Sequence, residues 1–79
     1  MKVDLKFFAS FRLLTGTAGT ELEIPEGTTT DDLWELINKK YDGFNEKTVL
    51  YAVNGEYVEN NARIKEGDTI AFFPPVSGG

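Results

Sequence analysis

The best-supported element of this 79-residue chain is a single stretch whose apolar residues recur at helical spacing. In that stretch Leu33, Leu36, Ile37 and Tyr41 fall at i, i+3, i+4 and i+8, which predicts one apolar stripe on a helix over roughly residues 30–41. Thr28 to Thr30 supply N-cap candidates, and Asp31 and Asp32 complement the helix dipole in the first turn. Lys39 and Lys40 do the same in the last turn, and Gly43 after Asp42 is the expected stop. Trp34 lies off the stripe and is expected to pack over the margin of a sheet. A lone helix covers one face of a sheet, so the remaining chain must build a sheet that is open on the other.

The remaining chain reads as strands. Val3, Leu5 and Phe7 alternate with Lys2, Asp4 and Lys6. Ser10 and the cluster Phe11-Arg12-Leu13-Leu14 form one helical turn or a tight loop, closed by Thr15-Gly16. Leu22 and Ile24 alternate with Glu21 and Glu23 before Pro25, a second strand that pairs with the first as a hairpin. Val49, Tyr51 and Val53 make a third strand, Asn54-Gly55 a tight hairpin turn, and Tyr57-Val58 a short return strand. Ala62 and Ile64 tuck inward from a polar connection, Glu66-Gly67-Asp68 turns the chain, and Thr69 to Phe73 is the last strand. Pro74 and Pro75 lack backbone N–H groups and end the ladder.

That order predicts an α+β fold of the β-grasp, ubiquitin-like type: a mixed four- to five-stranded sheet packed on one helix, with the first and last strands side by side. The expected division is a β-grasp domain over residues 1–74 and a flexible, functional tail over residues 75–79. Composition narrows the chemistry. The chain contains no Cys and no His, which excludes disulfides, thiolate metal sites, a Cys nucleophile and Ser-His-Asp triads. Net charge is −5, and no basic run exceeds Lys39-Lys40, so nucleic acid is not an expected partner. No apolar run approaches the ~18 residues of a membrane span, and the first residues lack the apolar core of a secretory leader. A cytoplasmic domain with no bound metal or cofactor, and no self-sufficient active site, is expected. Asp31, Asp32 and Glu35 fit a solvated first helical turn better than a metal site.

The last residues are Phe-Pro-Pro-Val-Ser-Gly-Gly. Two prolines launch the tail in an extended course away from the sheet. The final two residues carry no side chain, and glycine permits close backbone approach, so the tail suits insertion into a narrow tunnel of another protein. Its carboxylate is inert until a nucleotide-dependent partner converts it to an acyl-adenylate. The activated Gly79 carbonyl then accepts either sulfur, giving a thiocarboxylate, or an amine, giving an amide link to another protein. Either way this chain carries the group, and the catalytic side chains sit on partners.

Alternation also predicts a docking surface. With Val3, Leu5 and Phe7 facing the helix, Phe8 faces the opposite way, as do Leu50, Ala52, Ala71 and Phe73. These residues adjoin one another if the last strand lies between the first and third. Together with Pro74, where the tail leaves, they form an expected exposed apolar patch that binds a partner, since such patches mark protein interfaces.

The closing Phe72-Phe73-Pro74-Pro75-Val76-Ser77-Gly78-Gly79 resembles the terminal signature of the molybdopterin synthase small subunits. Phe7-Phe8-Ala9 with Arg12 and Gly16, Val53-Asn54-Gly55 and Gly67-Asp68 are similar to other points of that family, so the resemblance spans nearly the whole chain. It implies a sulfur carrier whose Gly79 is adenylated, at the expense of ATP, by a ubiquitin-activating-type adenylyltransferase and loaded with sulfur from a sulfurtransferase. It further implies that Pro75, Val76, Ser77, Gly78 and Gly79 enter the active site of the large synthase subunit. There the thiocarboxylate gives sulfur to a cyclic pyranopterin monophosphate, within a heterotetramer. Archaeal small modifiers end in similar residues, so conjugation through Gly79 to lysines stays open, as does sulfur donation for tRNA thiolation or thiamine synthesis. A passive interaction module leaves the diglycine without a purpose.

Overall fold

The computed structural model describes residues 1–41, 48–59 and 61–75. Strands β1 (Lys2–Phe7) and β2 (Gly19–Glu23) form an antiparallel hairpin joined through a short helix, α1 (Ser10–Thr15). Helix α2 (Thr30–Lys40) follows, then a second hairpin of β3 (Leu50–Val53) and β4 (Glu56–Val58). The last strand, β5 (Thr69–Phe73), inserts between the hairpins, parallel to β1 and antiparallel to β3. The sheet order is β2-β1-β5-β3-β4, the mixed five-stranded β-grasp arrangement with first and last strands paired at its centre.

Local chemistry accounts for each boundary. Thr29 caps α2 as part of a capping box, its side chain accepting from the Asp32 N–H while the Asp32 carboxylate accepts from the Thr29 N–H. The helix ends at Lys40, with Tyr41 at its C-cap; the stop expected at Asp42-Gly43 lies outside the described residues. Asn54 and Gly55 both take positive φ, 53° and 87°, the geometry of a type I′ hairpin turn. Ala9 also has positive φ, 53°, with ψ −130°, and the Phe11 N–H donates to the Phe8 carbonyl at 3.1 Å. This places Ala9 at the first central position of a type II′ turn, where glycine is favoured.

Between the helix and the sheet, Val3, Leu5, Phe7, Leu33, Ile37, Ile70 and Phe72 are almost fully buried. Phe72 is the hub: its ring lies 5.7 Å from Phe7, 5.7 Å from Trp34 and 5.8 Å from Tyr51. The helix meets the sheet on a stripe rotated from the expected one. Leu36 is 39% exposed, whereas Trp34 turns in to pack on Phe11 at 5.3 Å as well as on Phe72. An indole covers more of the flat sheet than a leucine does, and positions 34 and 36 flank the Leu33–Ile37 line on opposite sides. Val49 precedes β3 rather than joining it and packs half-buried against the core.

Candidate functional site

The face of the sheet away from α2 carries the expected apolar residues. In register, Leu50 lies opposite Phe73, Ala52 opposite Ala71, and Lys6 opposite Ala71 on the other flank. The chain continues one residue past β1, where the Phe8 N–H donates to the Phe72 carbonyl at 3.2 Å and sets Phe8 beside Phe73. The two rings meet edge to face at 6.2 Å. Phe8 is 48% exposed and Leu50 37%, while Phe73, Ala71 and Pro74 are half-buried and Pro75 is exposed.

Ala52 departs from the expected patch. It lies on this face but is only 9% exposed, because its neighbours close over it. One of those neighbours is Tyr57, which the strand pattern alone leaves unassigned. Tyr57 pairs directly with Ala52 across the β3–β4 ladder, and its ring stands edge-on to Phe73 at 5.3 Å. It remains 77% exposed, so it stands proud of the sheet. Phe8, Phe73 and Tyr57 line a shallow apolar depression beside the point where the chain leaves β5. The signal that finds Tyr57 is the Asn54-Gly55 turn: a two-residue loop pairs Val53 with Glu56 and therefore Ala52 with Tyr57, on one face.

The patch side chains themselves carry no charge, and Lys6 borders them beside Ala71. What they offer is area: aromatic edges and faces stripped of charge, the composition of an interface core. The tail positions Val76, Ser77, Gly78 and Gly79 lie outside the described residues. Asp31 and Asp32 are engaged in the fold. Tyr51 donates its hydroxyl to an Asp31 oxygen at 3.1 Å, and Asp32 closes the capping box. Burial, reinforced by the Asp31 carboxylate, holds the Tyr51 phenol above its ordinary range. A groove of about 430 Å³ between Gly27–Thr29 and Arg63–Lys65 lies among residues apart from the patch. No helix among the described residues is long and apolar enough to cross a membrane.

Known proteins are similar to this chain in sequence and fold. The chain matches the ThiS family over residues 5–79. A molybdopterin synthase sulfur carrier subunit of Chlamydomonas reinhardtii is 32% identical to it over 83 residues, with 100% of each chain covered. A Pyrococcus furiosus protein assigned as molybdopterin converting factor, subunit 1, superposes with a TM-score of 0.87 at 41% identity, over 96% of this chain and 99% of that one. A chain from the Helicobacter pylori complex of subunits 1 and 2 of molybdopterin-converting factor gives 0.69 at 26% identity, over 100% of both. Small archaeal modifier protein 1 of Methanosarcina acetivorans gives 0.79 at 26% identity, over 99% of this chain and 96% of that one. The sheet order, the apolar face at the root of the tail and these full-length matches lead to one assignment: the chain belongs to the ThiS family, alongside the molybdopterin synthase sulfur carrier subunits.

Proposed function

We propose that this chain is the sulfur carrier subunit of a molybdopterin synthase. The observation that carries it is the apolar face of Phe8, Tyr57 and Phe73 at the root of a Pro-Pro-Val-Ser-Gly-Gly tail, in a chain matched end to end by such subunits. Residues 1–74 are the docking body and 75–79 the working arm. A carboxylate oxygen of Gly79 attacks the α-phosphorus of ATP on an adenylyltransferase, and pyrophosphate leaves. A sulfurtransferase persulfide then attacks the carbonyl and displaces AMP, and a thiol reduces the acyl disulfide so formed, leaving a thiocarboxylate and a disulfide. Phe8, Leu50, Ala71, Phe73 and Pro74 dock on the large subunit, together with Tyr57, while Ala52 supports the rings from below. Pro75 to Gly79 reach into that subunit's active site. There the thiocarboxylate sulfur bonds to a carbon of the cyclic pyranopterin as an oxygen substituent of that carbon leaves, and water cleaves the resulting thioester, leaving sulfur on the pterin and Gly79 as a carboxylate.

The large subunit supplies the proton-transfer groups, which fits a chain lacking His and Cys. The cytoplasm is the compartment in which its partners meet it, and two carriers serve each product in a heterotetramer. The likeness to small archaeal modifier protein 1 favours one second reading, conjugation of the same activated Gly79 to lysines. Intact mass after expression with the native pathway separates them. Replacement of one oxygen by sulfur on the free protein supports the carrier. Ladders of the chain on other proteins, with no thiocarboxylate, would sink it.

A further inference from the structure

A second surface lies on the opposite flank, where β2 is an edge strand. The Ile24 N–H donates to the Met1 carbonyl at 2.8 Å and the Phe7 N–H to the Ala18 carbonyl at 3.0 Å. Alternation along this antiparallel ladder makes Val3–Leu22 and Leu5–Thr20 the bonded pairs. The N–H and C=O groups of Glu21 and Glu23 therefore point away from β1, toward the open edge. Beside that edge runs a groove of about 290 Å³ between β2 and α2, lined by Leu22, Glu23, Leu36, Ile37, Lys39 and Lys40. Its floor is apolar, and Leu36 is exposed because Trp34 takes the inward place on the helix.

We propose that this edge binds an extended segment of a partner protein as a sixth strand, and the charges specify its sequence. Backbone groups of Glu21 and Glu23 supply the ladder, and Leu22, Leu36 and Ile37 receive the segment's groove-facing residues. Those residues are apolar, ending in an acid beside Lys39 and Lys40. The alternate residues stand on the other face, opposite the side chains of Glu21 and Glu23, and are basic. Among the described residues, Glu21 has an exposed, 3.9 Å pairing to Lys2 to set against this. A second copy of the chain does not fit, since pairing β2 with β2 brings glutamates against glutamates. The partner is a basic, alternating strand, in keeping with the net charge of −5. None of this depends on sulfur carriage.

The test is a titration of the ¹⁵N-labelled full chain with a blocked peptide, Lys-Val-Arg-Ile-Lys-Val-Lys-Asp, against a control with Glu at each basic position. The expected result is amide shifts confined to β2 and the second half of α2, with the Glu21 and Glu23 amides slowed in hydrogen exchange. Leu36→Lys should weaken binding about tenfold or more. Glu21→Lys with Glu23→Lys should transfer binding to the acidic peptide. All three positions are exposed, so the variants keep the fold, which the same spectra report. Absence of shifts, shifts centred on Phe8 and Phe73, equal binding of both peptides, or self-association through β2 would each overturn the proposal.

Discussion

Truncating Tyr57 to alanine separates docking from folding. In the free chain Tyr57 keeps 77% of its surface exposed. A fully buried tyrosine covers roughly 200 Å², so the free chain hides about 50 Å² of it. At ~25 cal/mol per Å² that is about 1 kcal/mol, and the edge contact with Phe73 adds roughly 1 more. Tyr57→Ala should therefore cost about 1–2 kcal/mol of stability, a fall in Tm of roughly 5–15 °C. If the large subunit covers the remaining ~150 Å², up to about 4 kcal/mol of binding is at stake, and exposed aromatic anchors typically lose 2–4 kcal/mol on truncation. The expected loss of affinity is thus about 30- to 700-fold. Tyr57→Phe keeps the ring and should bind within about threefold, because the expected affinity rests on the ring's buried area. Titration calorimetry with the large subunit, beside a melting curve for each variant, measures both effects. A folded Tyr57→Ala protein that binds within about threefold of wild type would refute the placement of Tyr57 in the interface.

Three other perturbations have defined outcomes. Deleting Gly79 should abolish sulfur transfer in single-turnover assays while leaving Tm unchanged, since it withdraws the reacting carbonyl by about 3.5 Å, where ~1 Å already costs roughly a hundredfold. Ala9→Gly should raise stability by about 1 kcal/mol in chemical denaturation, because relief of strain at φ 53° outweighs the added chain entropy. Tyr51→Phe should flatten the alkaline limb of a stability–pH profile. The folded phenol titrates above the ordinary value of 10.0, so its contribution is whole below pH 10 and fades as pH rises through the folded value. A wild-type profile flat from pH 9 upward would remove that linkage.

The strands were legible because one face of each is buried and the period of two leaves little freedom. Val3, Leu5 and Phe7 in β1, and Ile70 and Phe72 in β5, could hardly point elsewhere. The rotation of α2 was not legible. Leu33, Ile37 and Tyr41 are compatible with either Trp34 or Leu36 as their companion, and the choice rests on the shape of the Phe11–Phe72 surface beneath. Ala52 shows a related limit. Period-2 alternation tells which face a residue occupies, but its exposure depends on the size of its neighbours, here Tyr57 and Phe73. Residues 76–79 carry their information in composition and in their place after β5, so the fold adds only where the tail begins.

The central position of β5 has a mechanical consequence. The strand is bonded along one side to β1, in parallel, and along the other to β3, antiparallel. Tension applied through the tail is directed along β5 and so loads both ladders lengthwise. Bonds strained in that geometry share the force and must fail together, unlike the bonds of an edge strand peeled away one at a time. If the tail seats deep in another protein, as proposed, withdrawing it applies such tension. With the arm rooted in the strand that clamps both hairpins, the domain can be hauled out of a tight complex without being unravelled by its own handle.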